Sequence, residues 1–125
     1  MVDGNAKQEL VGEVVVDGPI RSLPIYRVPG RFEVPIGEEA ALLEFRANGS
    51  SMAITHTEVP RSLRGQGIGE ALARAALDDA RTRGLTVKPY CPFVARYVAQ
   101  HPDYAPLIDP AFTQTPTGAD DAARE

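Results

Sequence analysis

The sequence predicts an α+β fold, a mixed and mostly antiparallel sheet carrying two main helices. Three observations support it. Residues 31–59 alternate apolar and polar side chains around Asn48-Gly49, the pattern of an antiparallel meander. Residues 68–83 then change to helical period. A short apolar run, Leu85 to Lys88, precedes a second helix-period stretch opened by Cys91-Pro92.

The elements follow in order. Residues 1–30 are read as an N-terminal arm lying on the domain, with short strands at Glu13–Val16 and Ile25–Val28, ended by Asp17-Gly18-Pro19 and Pro29-Gly30. Residues 31–109 form the domain. Arg31 to Ile36 is a strand with Phe32 and Val34 on one face, and Gly37-Glu38-Glu39 turns the chain. In Ala40 to Ala47, Ala41, Leu43 and Phe45 face one way and Leu42, Glu44 and Arg46 the other. Asn48-Gly49 tolerates the positive φ of a tight hairpin turn. On the return strand, Ser51 to Val59, alternation puts Met52, Ile54, His56 and Glu58 on one side. Ala53, Thr55, Thr57 and Val59 take the other.

Ile68 to Arg83 is a helix with Glu70, Arg74, Asp78 and Arg81 in one polar arc and Ile68, Ala71, Leu72, Ala75 and Ala76 opposite. Glu70 and Arg74 are spaced for an i,i+4 ion pair. Asp79 interrupts the apolar arc, and the pattern gives no reason for it. Gly84 is placed to end the helix in a left-handed conformation. Phe93, Val94, Tyr97 and Val98 recur at helical spacing, and His101-Pro102 stops that helix. Tyr104, Leu107 and Ile108 form a last strand or a packed return segment. Residues 110–125, rich in Thr, Gly, Ala and Asp, are expected to be a disordered tail.

Composition bounds the function. The chain has 125 residues, enough for one domain with a core. Net charge is −4, and half of the excess lies in residues 110–125, so nucleic acid is not an expected partner. One cysteine excludes an internal disulfide and a cysteine-built zinc site, and no metal site is expected. No apolar run reaches the roughly 18 residues of a membrane span. Met1-Val2-Asp3-Gly4 lacks the basic start of a signal peptide, so a cytoplasmic location is expected.

The chemistry concentrates in Val59-Pro60-Arg61-Ser62-Leu63-Arg64-Gly65-Gln66-Gly67-Ile68-Gly69. Three glycines in five positions leave backbone uncovered where a helix begins. A helix N-terminus presents unpaired N–H groups and the positive end of its dipole. Without a Cβ in the way, a phosphate can approach those groups. Arg61 and Arg64 add positive charge. The stretch reads as a cradle for a diphosphate. A dinucleotide fingerprint fails, because Glu70 stands where its third glycine belongs, and a P-loop fails for want of the following lysine.

Arg64 to Gly69 resembles the Gln/Arg-x-x-Gly-x-Gly/Ala motif of the GNAT acyltransferase superfamily. Phe32 to Leu107 is similar to its compact single-domain members, which carry Thr-x-Val-Pro, Arg-Gly-x-Gly-Ile-Gly, Cys-Pro-Phe-Val and His-Pro-x-Tyr. These stand here as Thr57 to Pro60, Arg64 to Gly69, Cys91 to Val94 and His101 to Tyr104. The resemblance implies a three-layer α/β arrangement with a splayed central strand pair. It implies acetyl coenzyme A as donor and a primary amine, on a small molecule or a protein, as acceptor. The amides of Gly65, Gln66, Gly67, Ile68 and Gly69 would hold the diphosphate, and Arg64 would anchor the loop. Thr57 to Val59 would line the pantetheine arm. The N–H of Val59 or Thr57 would face the thioester carbonyl, since Pro60 has none to give.

Proton transfer is assigned less narrowly. Glu58 and His56 share a strand face and are candidate bases. Tyr97 stands where many members of the superfamily place the donor to the departing thiolate; core packing is its other role. Cys91, ahead of a helix N-terminus, is read as lining the cleft or as an acyl acceptor. The expected activity is acetyl transfer to an amine, with a non-catalytic acyl-CoA binding or sensing module as the alternative. A monomer or weak dimer is expected.

Overall fold

A computed structural model describes residues 8–16 and 21–112. Six strands form one sheet in the order β1 to β6 along the chain. They are β1 (Glu9–Val16), β2 (Arg21–Val28), β3 (Arg31–Ile36), β4 (Glu39–Asn48), β5 (Ser51–Glu58) and β6 (Thr86–Pro89). The first five pair antiparallel, and β6 joins β5 in parallel after a crossover through α1 (Ile68–Thr82). A second helix, α2 (Pro92–Gln100), is followed by a 3₁₀ segment, Pro102–Leu107. Ile108 then bridges to Val87, so the end of the domain is a packed return segment.

The described part of the expected arm does not simply lie on the domain. β1 and β2 are hydrogen-bonded strands that continue the sheet outward from β3. The expected turn at Asp17-Gly18-Pro19 lies outside the described residues, as do residues 113–125 of the expected tail. Phe112, the last described residue, packs edge-on against Tyr90.

The core lies on one face of a curled sheet. Val14, Ile25, Phe32, Val34, Leu43, Met52, Ile54 and Val87 are buried there. Glu33, Leu42, Glu44 and Ala53, on the opposite face, stay partly exposed. Both helices use the buried face. α1 contributes Ile68, Leu72, Ala73, Ala76, Leu77 and Ala80, and α2 contributes Val94, Tyr97 and Val98. α2 and the 3₁₀ segment pack beside α1: Phe93 abuts Gly69, and the Tyr104 hydroxyl donates to Asp78 at 2.8 Å. Among the described residues this is the expected α+β arrangement, a mixed and mostly antiparallel sheet carrying two main helices.

Three local departures from the sequence pattern have physical causes. The hairpin turn is Gly49-Ser50, because Asn48 pairs with Ser51, and Gly49 takes a positive φ, +63°. In β5 the register jumps from Phe45↔Ile54 to Glu44↔His56, leaving Thr55 as a bulge. The extra residue turns Thr57 back to the face of Met52 and Ile54. Simple alternation had placed it on the other side. Asp79, unexplained by the helical pattern, is nearly buried and bridges Arg27 of β2 and Arg83, the latter at 2.9 Å. A strand arginine thus gives the carboxylate its partner inside the apolar arc. The Glu70–Arg74 pair is absent from the ion pairs among the described residues.

Candidate functional site

The site begins where β5 and β6 part. Their parallel pairing ends at Ile54↔Pro89, and one further bond follows, from the Cys91 amide to the Ile54 carbonyl at 3.0 Å. Beyond it β5 runs on to Glu58, while the other chain turns away into α2. The far edge of β5 is therefore left without a strand partner. The gap opens into a cleft of about 710 Å³ walled by His56 to Val59, by the loop after β5, by the first turn of α1 and by Phe93.

The loop is set by its own bonds. A 3₁₀ turn, Arg61–Leu63, follows Pro60, with the Leu63 amide donating to the Pro60 carbonyl at 2.8 Å. Arg64 Nε donates to the Val59 carbonyl at 2.9 Å, tying the loop to the end of β5. Gly65 and Gly67 both have φ near +83°, a conformation that costs an L-residue roughly 1–2 kcal/mol. Gly67 is the N-cap of α1, and its carbonyl accepts the first helical bond, from Ala71. The amides of residues 65–70 donate to no backbone carbonyl and no side chain among the described residues. They are the orphan donors of a helix start, at the mouth of the cleft. A Cβ on Gly65 would meet no protein atom within 4 Å, and one on Gly67 would meet only Glu70 Oε1, at 3.7 Å. Open space thus stands over the loop, as a diphosphate would require.

Gly69 has a different task. A Cβ there would stand 3.1 Å from Phe93 Cζ, so its bareness lets α2 close against the first turn of α1. Ile68 is buried beneath the loop. Arg64, Gly65, Gly67, Ile68 and Gly69 all line the cleft, with Thr57, Glu58 and Val59 opposite; Gln66 is outside its wall. Leu63, Glu70 and Phe93 line it as well, although the sequence marked them only as loop, solvated helix face and core. For Phe93 the available signal was its place two residues after Cys91, where α2 starts.

The acid–base candidates are dispersed. His56 Nε2 lies 3.3 Å from Glu58 Oε1, and both side chains are exposed in the cleft wall. Cys91 is buried behind that wall as the N-cap of α2, with Sγ 3.4 Å from Thr57 Oγ1. Tyr97 is also buried, and it borders a separate depression of about 240 Å³ between β1 and α1. Its ring stacks on His101 at 3.9 Å, and the Tyr97 carbonyl lies 2.8 Å from His101 Nδ1. A carbonyl only accepts, so Nδ1 carries the hydrogen. Tyr104, close by, has its phenol pushed up to about 12 by burial, helped by the Asp78 carboxylate that accepts its proton. Among the described residues no group of three or more His, Cys, Asp or Glu is placed to hold a metal ion, and no helix is long and apolar enough to cross a membrane.

Comparison with known proteins places this geometry. A family model described as GCN5-related N-acetyl-transferase matches residues 31–107, more than half of the chain. A protein named NATD1 from Xenopus tropicalis is 34% identical over 65 residues, which is 52% of this chain and 60% of that protein. Proteins of the same name from Gallus gallus and Homo sapiens are each 41% identical over 49 residues, 39% of this chain and 44% and 43% of theirs. The chain spans about half the length of the curated relatives it matches. With the glycine-loop cradle and the strand left open beside it, that match makes the chain a member of the GCN5-related N-acetyltransferase family.

Proposed function

We propose that this chain binds acetyl-CoA and transfers its acetyl group to a primary amine. The observation that carries the reading is the row of unbonded amides at residues 65–70, with open space over Gly65 and Gly67, beside the unpartnered edge of β5. The amides and the Arg64 guanidinium bind the diphosphate, with the helix dipole favouring its charge. The free edge of β5 pairs with the amides of the pantetheine arm, in the manner of an added strand. Bound acetyl-CoA supplies the activated acyl thioester. The Thr57 N–H is aimed at its carbonyl oxygen, where negative charge grows during attack, and such a fixed donor is worth roughly 3–4 kcal/mol. The exposed Glu58–His56 pair accepts the proton from the incoming amine, directly or through water. As the C–N bond forms and the C–S bond breaks, the thiolate takes a proton. That proton comes from water in the open cleft, because Tyr97 is buried and borders the separate depression beside β1.

The burial of Cys91 behind the cleft wall, and of Tyr97 beside a separate depression, favours a second reading, a module that binds acyl-CoA without turnover. Calorimetry with acetyl-CoA, paired with thiol release over a panel of primary amines, separates the two. Saturable binding with amine-dependent release is the expected result. Binding without release across the panel supports the module, and no binding refutes both.

A further inference from the structure

We propose that the Thr57–Cys91 contact sets the length of acyl group the cleft accepts, so that acetyl is taken in preference to propionyl or butyryl. The inference rests on the acetyl-CoA reading above. The cleft lies between the loop of residues 63–70 and the end of β5, and the gap beside β5 closes at Ile54, whose carbonyl accepts from the Cys91 amide. A diphosphate at residues 65–70 sends the rest of the cofactor along β5, and its acyl end arrives where that gap closes. There the bulge at Thr55 has turned Thr57 inward, and Thr57 Oγ1 meets Cys91 Sγ at 3.4 Å. Cys91 is buried, and so are Ile54, whose carbonyl takes its amide, and Val94, one turn further along α2. Phe93 closes the remaining side and is seated against Gly69. Buried side chains are close-packed, so each added methylene pushed into this end meets atoms that have to give way.

The test is calorimetric titration of the full chain with acetyl-, propionyl- and butyryl-CoA, for the natural sequence and for Cys91→Ala, Cys91→Ser and Thr57→Ser. The natural sequence should bind butyryl-CoA at least tenfold more weakly than acetyl-CoA. Cys91→Ala removes the sulfur from the apex, and Thr57→Ser removes a methyl. Each should recover about fourfold in affinity for every methylene it admits. Cys91→Ser keeps the size of the side chain and should keep the discrimination. Equal binding of the three acyl chains by the natural sequence would overturn this inference and leave the cofactor reading standing. Discrimination untouched by both Cys91→Ala and Thr57→Ser would do the same, and should Cys91→Ala not fold, Thr57→Ser decides alone. No binding of any acyl-CoA would overturn both.

Discussion

Gly67→Ala separates the cradle from ordinary backbone strain. Gly67 has φ +83° and ψ 8°, left-handed backbone at the N-cap of α1. An L-residue there costs roughly 1–2 kcal/mol, and alanine is a poorer N-cap than glycine by up to about 1 kcal/mol. The new Cβ touches only Glu70 Oε1, at 3.7 Å, so no steric cost is added. The sum is a destabilisation of about 1–3 kcal/mol, worth a fall in Tm of roughly 4 °C per kcal/mol. Gly84→Ala is the matched control. Gly84 has φ +70°, an added Cβ there would meet nothing within 4 Å, and it lies at the opposite end of α1. Both variants should lose similar stability in thermal unfolding. Only Gly67→Ala should lose coenzyme A affinity, by tenfold or more in calorimetry, because its methyl stands where the phosphates approach the amides. If both variants bind coenzyme A like the natural sequence, the cradle argument is refuted.

Four further outcomes are expected. Gly69→Ala forces Phe93 to move from a 3.1 Å contact; overpacking costs about 1–3 kcal/mol, and the gain in helix propensity offsets about 1. A midpoint shift in urea denaturation that is clearly stabilising would contradict that contact. Arg64→Ala removes both the bond to Val59 and a nearby charge, so its affinity loss should shrink at high salt without vanishing; a loss wholly independent of salt would assign Arg64 to loop structure alone. Asp79→Ala leaves Arg27 and Arg83 without their shared carboxylate and should cost about 2–3 kcal/mol in chemical unfolding; a change under 0.5 kcal/mol on the same scale would contradict it. The Tyr104 phenol, raised to about 12 when folded, favours the native state fully below pH 10. Between pH 10 and 12 the unfolded chain loses that proton first, so stability should fall, and Tyr104→Phe should flatten the fall.

Much of this was legible in the sequence for simple reasons. Phe32, Val34, Leu43 and Phe45 alternate because one face of the sheet is buried, and Asn48-Gly49 marks the hairpin within one residue of its place. The glycines at 65, 67 and 69 mark the loop because few other residues tolerate that backbone or that contact. What stayed hidden depends on partners distant in sequence. A bulge is a property of two strands, so nothing in β5 alone announces that Thr55 is extra and that Thr57 turns inward. Asp79 looked misplaced because its partner, Arg27, lies 52 residues earlier on β2. β1 and β2 were hidden for a different reason: their short apolar runs resemble an arm until the edge of β3, just beyond Pro29-Gly30, is there to pair with β2. Tyr97 fits helical spacing whether it faces the cleft or the depression beside β1, and only the packing of α2 on α1 decides between them.

The account turns on the amides of residues 65–70 meeting a diphosphate. Titrating the ¹⁵N-labelled chain with coenzyme A, and following every backbone amide by NMR, asks this directly. The largest shifts should fall on Gly65 to Glu70, with a second group at Thr57 to Val59. Shifts centred on the opposite end of α1, around Arg27 and Arg83, with residues 65–70 unmoved, would contradict it.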